Sequence, residues 1–358
     1  MVSMSANKKP VVIDLFSGCG GLSSGARKAG FAVTDAFDID PILTSSYGLN
    51  FPKSRVHNLD ISKLAGSEIQ SFADCHISGV IGGPPCQAFS MIGHRDEADP
   101  RRELLGHFFR IVSEIRPDFF LMENVQGVAA GSARQYLDAC LAQVESSYTI
   151  SIPTVLDASE YGCATKRKRI FVVGVRKDIG RNFDFTKIRK VKNAVTVEDA
   201  ISDLSYVQKQ GMIGEFDKWK IMVDRDLSPY AKKMRNRDNT FTGNQRTVHT
   251  EKVLSRFSKL KQGATDPVGK HKRLTWDGLC PTLRAGTGSD YGSYQSVRPI
   301  HPAEDRVITV REAARLQGFP DSHKFHPTIW HSFRMIGNSV SPILAKKILQ
   351  EIKKQVFI

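Results

Sequence analysis

The sequence predicts an α/β fold, a mostly parallel sheet covered by helices on both faces, with a second, smaller domain set late in the chain. Three observations lead there. Apolar runs of strand length alternate with amphipathic stretches of helix length over the first half of the chain. The alternation stops near residue 186 and regularity returns only after Pro299. The 358 residues also exceed the usual size of a single domain.

Taken in order, VVIDLF (11–16) reads as a buried strand ending in a glycine turn, and Gly21 to Ala29 as the helix that follows. AVTDAFDI (32–39), ISGVIGG (77–83), DFFLMENV (118–125) and KRIFVVGV (168–175) read as further strands, with a helix from Glu103 to Ile115 closed by Pro117. Strand, crossover and strand in series imply parallel pairing, and ligands of such sheets bind at the carboxyl ends of the strands. Residues 186–280 mix short helical pieces with polar loops. TVREAARLQGF (309–319) and SPILAKKILQEIKKQV (341–356) are helical again. The expected organisation is a first part over 1–185, a second over 186–280 and a return to the first part over 281–358.

Charge points to the class of partner. Lysine and arginine number 51 against 37 acidic residues, a net charge of +14. Nucleic acid or an anionic membrane surface would fit. Between Lys232 and Arg273 lie twelve basic and three acidic residues, so this stretch holds most of the excess. No run of 18 apolar residues occurs and Met1 to Pro10 has no apolar signal core, so neither a spanning helix nor export is expected, and a cytoplasmic location is. The six cysteines are scattered without a C-x-x-C pair, which predicts reduced thiols with neither a disulfide framework nor a metal site.

DLFSGCGGLSSG (14–25) carries the first chemistry. Gly18, Gly20 and Gly21 let a ligand approach the backbone and the N–H groups of the next helix. A glycine turn alone is more often structural, and this one is not a full G-x-G-x-x-G. Asp38, about twenty residues on at a strand end, is placed to take ribose hydroxyls, and Asp60 in NLDIS follows the same logic for an adenine amino group. Together they imply a nucleoside-containing cofactor, with a nicotinamide dinucleotide and S-adenosylmethionine both open at this point. In GGPPCQAFS (82–90), two prolines fix the backbone ahead of Cys86. A buried cysteine is usually small apolar filler; such rigidity suits a sulfur aimed at a target.

GGPPCQAFS with MENV (122–125), DLFSGCGG (14–21), RKRIF (167–171), PTLRAGTG (281–288) and GNSVSP (337–342) resembles, in order, the motif set of the DNA cytosine C5 methyltransferases. The match runs through nearly the whole chain, and 186–280 corresponds to the family's variable target-recognition region. The resemblance implies the Rossmann-like fold of S-adenosylmethionine-dependent methyltransferases. It also implies double-stranded DNA as substrate, S-adenosylmethionine without a metal as cofactor, and Cys86, Glu123, Arg167 and Arg169 as catalytic residues. Cys86 would attack C6 of cytosine, Glu123 would meet N3 as a carboxylic acid whose pKa burial raises, and the two arginines would hold the base oxygen and a phosphate or position the cysteine loop. Asn124 would serve the geometry of that loop.

The cofactor site carried over by the resemblance comprises Phe16, Ser17, Gly18, Cys19, Gly20, Gly21, Leu22, Asp38, Ile39, Asp60, Ile61, Pro85, Leu104, Asn338 and Ser339. DNA would be met by Gln87, Ser90 and Arg101, the last on a flap over 88–102 that closes on a flipped base. Arg235, Arg237 and Arg246, with Asn244 and Gln245, are DNA-reading candidates by residue type. The chain departs from the family where Ala164 and Thr165 replace a proline and a glutamine, which leaves a hydrogen bond to account for. A restriction–modification role, a monomer and at most a transient relation to a cognate endonuclease are expected. A dehydrogenase would have no use for Pro-Pro-Cys beside Glu-Asn-Val. The family's tRNA-modifying branch carries a Cys-Phe-Thr segment not found here, and the intact catalytic set argues against a silent relative.

Overall fold

A computed structural model describes residues 9–85, 103–223, 227–285 and 297–358. Five strands, β1 (Val11–Leu15), β2 (Ala32–Phe37), β3 (Arg55–His57), β4 (Gly79–Gly82) and β5 (Phe119–Val125), are parallel. β8 (Lys168–Arg176) is antiparallel to β5, and β6 (Tyr148–Ile150) and β7 (Thr154–Asp157) are each antiparallel to β8. The order is 3-2-1-4-5-8-6, with β7 also on β8. The expected parallel sheet is therefore present, and KRIFVVGV is the strand that reverses direction. β3, β6 and β7 escape a reading of the sequence because three or four partly polar residues at a sheet margin carry too little apolar signal.

Alternate strand residues face opposite layers, as a period of two requires. Phe119 and Leu121 look toward α1 (Gly21–Ala29) and the terminal helix; Phe120 and Met122 look toward α4 (Glu103–Ile115) and α5 (Gly131–Glu145). The short helices α2 (Tyr47–Asn50) and α3 (Gly66–Ala73) close the β2–β3 and β3–β4 crossovers. Both helices that the sequence predicts in this half, Gly21–Ala29 and Glu103–Ile115, have the predicted bounds.

The later region holds α6 (Val197–Ile201), the antiparallel strands β9 (Val207–Ile213), β10 (Phe216–Ile221) and β11 (Thr240–Phe241), α7 (Pro229–Met234) and α8 (Glu251–Ser258). Its packing continues past residue 280, because Ile300 bridges to both Arg273 and Val307 and buries with Phe257. α9 (Val310–Gln317) starts in a capping box between Thr309 and Glu312 and is buried on every residue. α10 (Ile329–Asn338) leads to α11 (Pro342–Phe357), which lies along α1. A Cβ on Gly25 would come within 2.4 Å of the Ala345 Cβ, so the two helices need glycine there. Phe357 completes the dock, with its ring 6.1 Å from Phe31 and 5.9 Å from Phe119. The five described cysteines are free thiols. Among the described residues, no helix is long and apolar enough to cross a membrane.

Candidate active site and cofactor cavity

Register fixes where the site lies. Leu15 pairs with Phe37 and Gly82, and Gly82 with Met122, so the next residues, Phe16, Asp38, Gly83 and Glu123, stand side by side at one edge of the sheet. The strand order turns at β1, between β2 and β4, which is where open α/β sheets open a crevice. A cavity of about 720 Å³ occupies it, a size typical of small-molecule sites.

The glycine turn shapes one wall. The backbone goes left-handed at Phe16, Gly18 and Gly20 (φ 59°, 49° and 83°) before α1 starts. Gly21 has a different reason to be glycine: a Cβ there would fall 2.3 Å from the Val340 carbonyl oxygen, where the segment after α10 crosses the turn. Every cofactor residue expected from the sequence except Gly20 lines the cavity, including Asn338 and Ser339 from the far end of the chain. Gly20 instead supplies the left-handed step into α1.

The carboxylates at the strand ends differ in environment. Asp38 accepts the Gly18 N–H and the Asp40 N–H, each at 2.9 Å, and burial pushes its carboxyl above the ordinary range. Asp60 accepts the N–H (3.0 Å) and hydroxyl (2.7 Å) of Ser62, which hold it below that range. Asp14, beneath the turn, accepts the Ser23 N–H at 3.1 Å and hydroxyl at 2.5 Å, and burial pushes it up to about 7. Two polar atoms at this wall, Asp14 Oδ1 and Ser17 Oγ, are buried without a hydrogen-bond partner among the described residues.

Glu123 stands at the opposite end. It is 7% exposed, and burial raises its pKa against the pull of Arg169 and Arg167. Arg169 Nε lies 3.0 Å from Glu123 Oε1, an ion pair that holds this buried oxygen against the guanidinium. Asn124 donates to the Pro84 carbonyl at 3.0 Å and accepts the Val125 N–H at 2.8 Å, which ties the proline pair to β5. Cys86, Gln87, Ser90 and Arg101 lie outside the described residues. Pro85, the residue before Cys86, lines the cavity.

The two arginines part company. Arg169 lines the cavity, whereas Arg167 does not. Arg167 is 1% exposed and donates to the carbonyls of Leu283 (3.2 Å) and Gly337 (2.8 Å), so a direct contact with the base is not what its guanidinium is placed for. Side chains alternate along a strand, but residues 167 and 169 share a parity; what separates them is that Arg167 precedes β8 while Arg169 lies within it. Thr165 is buried and its hydroxyl donates to the carbonyls of Cys280 and Pro281, both at 3.3 Å, joining this segment to the PTLRAGTG motif.

Among the DNA-reading candidates, Arg235 and Asn244 are committed internally. The Arg235 side chain is 5% exposed and paired with Asp203 at 2.9 Å. Asn244 is 4% exposed and accepts the Thr309 hydroxyl at 2.9 Å. Arg237, Gln245 and Arg246 are exposed, Arg246 with an ion pair to Glu304 at 2.9 Å. Asp14, Asp40, Glu103, His107 and Arg334 also line the cavity and are not anticipated by the sequence motifs. His107 sits one helical turn after Leu104, and Arg334 one turn before Asn338, so spacing of three or four was the available signal.

The cavity suits S-adenosylmethionine: a volume for a nucleoside, the Asp38 and Asp60 carboxylates level with the glycine turn to accept a ligand's N–H and O–H donors, and left-handed glycine backbone that lets it approach closely. Comparison with known proteins agrees. A model of the C-5 cytosine-specific DNA methylase family matches residues 11–354. The chain is 38% identical to the type II methyltransferase M.XorII of Xanthomonas oryzae pv. oryzae, over 97% of this chain and 85% of that one. It is 31% identical to M.NgoPII of Neisseria gonorrhoeae, over 96% and 95%. A crystal structure of a prophage-encoded E. coli protein assigned as a DNA modification methyltransferase superposes with a TM-score of 0.85 at 38% identity, covering 98% of this chain and 100% of that one. The S. pombe Dnmt2 methyltransferase shares the fold at a TM-score of 0.61 and 21% identity, over 97% of this chain and 99% of that one. With the motif order, the sheet and the paired ends of the cavity agreeing, the chain belongs to the C-5 cytosine-specific DNA methylase family and is a DNA cytosine-5 methyltransferase, with the S-adenosylmethionine dependence that this family implies.

Proposed function

We propose that the protein methylates C5 of cytosine within one short double-stranded DNA sequence through a covalent adduct of Cys86, as the modification half of a restriction–modification system or as an unaccompanied methylase, and that it acts as a monomer without a stable endonuclease complex. The observation that carries this reading is the shared cavity: Glu123, buried and with its pKa raised, faces the same space as the carboxylates at the ends of β2 and β3.

Cytosine C5 is a poor nucleophile until something adds to C6. The Cys86 thiolate would form that bond, and the electron pair pushed into the ring would make C5 nucleophilic. Glu123, whose pKa burial raises, would in its acid form hand a hydrogen bond or its proton to N3 and neutralise the developing charge. Arg169 would keep Glu123 aimed and approach the base, while Arg167 would act as a positioning residue that braces the two segments behind it. S-adenosylmethionine, held by Phe16, Asp38, Ile39, Asp60, Ile61, Leu104, Asn338 and Ser339, supplies an electrophilic methyl group when bound. The base would leave the duplex to reach this depth. Arg101, Gln87 and Ser90 would meet it or its phosphates, and Arg237, Gln245 and Arg246 remain the candidates for the target-reading face.

The test is bisulfite sequencing of plasmid DNA from cells expressing the protein, beside Cys86→Ser. Protected cytosines within one recurring motif, abolished in the variant, are expected. Protection that survives Cys86→Ser overturns the covalent mechanism, and no protection anywhere overturns DNA as the substrate and directs the labelled cofactor to tRNA.

A further inference from the structure

Arg334 has no role in the reading above, yet it lines the cofactor cavity and spans the chain. Its Nη2 lies 2.6 Å from Asp40 Oδ2, an ion pair between α10 and the turn after β2, 294 residues apart in sequence. The other oxygen of Asp40 accepts the N–H groups of Ile42 (2.9 Å) and Leu43 (3.2 Å). The Asp40 N–H in turn donates to Asp38 Oδ1, and Asp38 Oδ2 takes the Gly18 N–H. One line of contacts thus runs from α10 through Asp40 and Asp38 to the glycine turn.

Resting on the S-adenosylmethionine reading, we infer that Arg334 is a positioning residue for the cofactor, acting through Asp40 to fix and charge-balance the Asp38 carboxylate that the ribose would bind. Two carboxylates two residues apart repel, and burial disfavours the charge on Asp38 further. The groups facing Asp38 are few. Asp40 from its own turn and Asp14 from β1 oppose its charge; the Gly18 and Asp40 N–H groups and Arg334 favour it; Asn58, after β3, donates to its backbone carbonyl at 3.1 Å. Arg334 is the cation in that set. A charged Asp38 can accept both ribose hydroxyls with the lone pairs that the two N–H groups leave free, whereas a protonated one gives up part of that capacity.

A partly exposed ion pair can also be a weak mechanical tie and nothing more. The two roles separate by charge. Arg334→Met removes the cation and leaves both carboxylates. Asp40→Asn keeps an oxygen for the Ile42 and Leu43 N–H groups, removes the repelling charge and frees Arg334 to act on Asp38.

S-adenosylmethionine binding would be measured by titration calorimetry from pH 5.5 to 9 on the full chain, with steady-state kinetics on DNA alongside. For Arg334→Met, affinity for S-adenosylmethionine falls at the acid end of the range and approaches that of the wild type at the alkaline end, because without the cation Asp38 holds its proton to higher pH. Its acid limb moves to higher pH, KM for the cofactor rises in step, and kcat and KM for DNA hold. For Asp40→Asn the acid limb moves the other way, and Arg334→Lys restores wild-type behaviour. Equal affinities in wild type and Arg334→Met, or the same loss in both variants with no movement of the limb, overturn the inference. A wild-type protein that binds no S-adenosylmethionine removes the cofactor reading itself, and this inference with it.

Discussion

The cofactor cavity and the later region around α6 to α9 use charged residues differently. At the cavity, backbone N–H groups do much of the holding, beside the Arg334–Asp40 and Arg169–Glu123 ion pairs, and Asp38, Asp60 and Glu123 all line one open space. In the later region, side chains hold one another. Arg315 is fully buried against Asp203 and Asp321 at 3.1 and 2.7 Å, Arg306 binds Glu304 and Glu312 at 2.9 and 2.8 Å, and Arg256 binds Asp266 at 3.1 Å. The lesson is that an arginine in a basic stretch is not by that fact a DNA contact. Of the stretch from 232 to 273, the arginines at 235, 256 and 273 close the fold with their charge, while its seven lysines remain exposed.

The largest effect that would test this contrast lies at the cavity. Glu123→Gln keeps shape and loses the proton, so kcat should fall by about 10²–10⁴ with S-adenosylmethionine affinity unchanged. Because burial raises the pKa of Glu123, the acid form that acts is the one depleted as pH rises, and wild-type kcat should decline on the alkaline side of that raised value. An active Glu123→Gln enzyme would break the assignment.

Next in size is the later region. Asp203→Ala would strip Arg235 and Arg315 of a shared carboxylate within a buried network, a loss of roughly 3–5 kcal/mol for removing one partner of a buried pair. Thermal melting should show it as a large drop in Tm. Arg235→Ala should lower Tm as well and leave the methylated motif unchanged, the reverse of what a base-reading residue would do.

Legibility in the sequence follows the same divide. Gly18 and Asp38 are readable from the residues themselves, because each lies just past a strand that the apolar runs mark, whereas Glu123 and Asn338 are legible only through the motifs that resemble the family's. Arg167 is readable as important but not in its role, since its partners, the Leu283 and Gly337 carbonyls, are more than a hundred residues away. The same distance hides Arg334, whose partner Asp40 directly follows AVTDAFDI (32–39). Arg235 and Asn244 mislead because residue type is the sole signal there, and the carboxylate at position 203 that absorbs one of them lies outside the basic stretch.

A smaller effect distinguishes free from spent carboxylates. Asp14 is raised from 3.8 to about 7 by burial, so the folded chain holds that proton more tightly than the unfolded chain does. Its favourable contribution is complete below pH 4 and disappears as pH rises through 7. In the absence of cofactor, Tm of the wild type should therefore fall relative to Asp14→Asn between pH 5 and 8, by a few degrees in order of magnitude. Parallel curves would mean that the Asp14 proton is not held.

The finest test concerns Arg237, which is exposed where Arg235 is not. Replacing it by alanine takes away nothing that the fold depends on, so Tm should stay within about half a kcal/mol of wild type in equivalent stability. Its effect on DNA then separates two roles. If the guanidinium binds a phosphate, Arg237→Ala weakens binding to every sequence alike and lowers the slope of log affinity against log salt by about one. If it binds a base edge, the substitution relaxes the preference at one position of the motif by about 1–3 kcal/mol and leaves the slope nearly intact. Neither change would place Arg237 off the duplex altogether, and the exposed lysines would then carry the polyanion binding that the net charge demands.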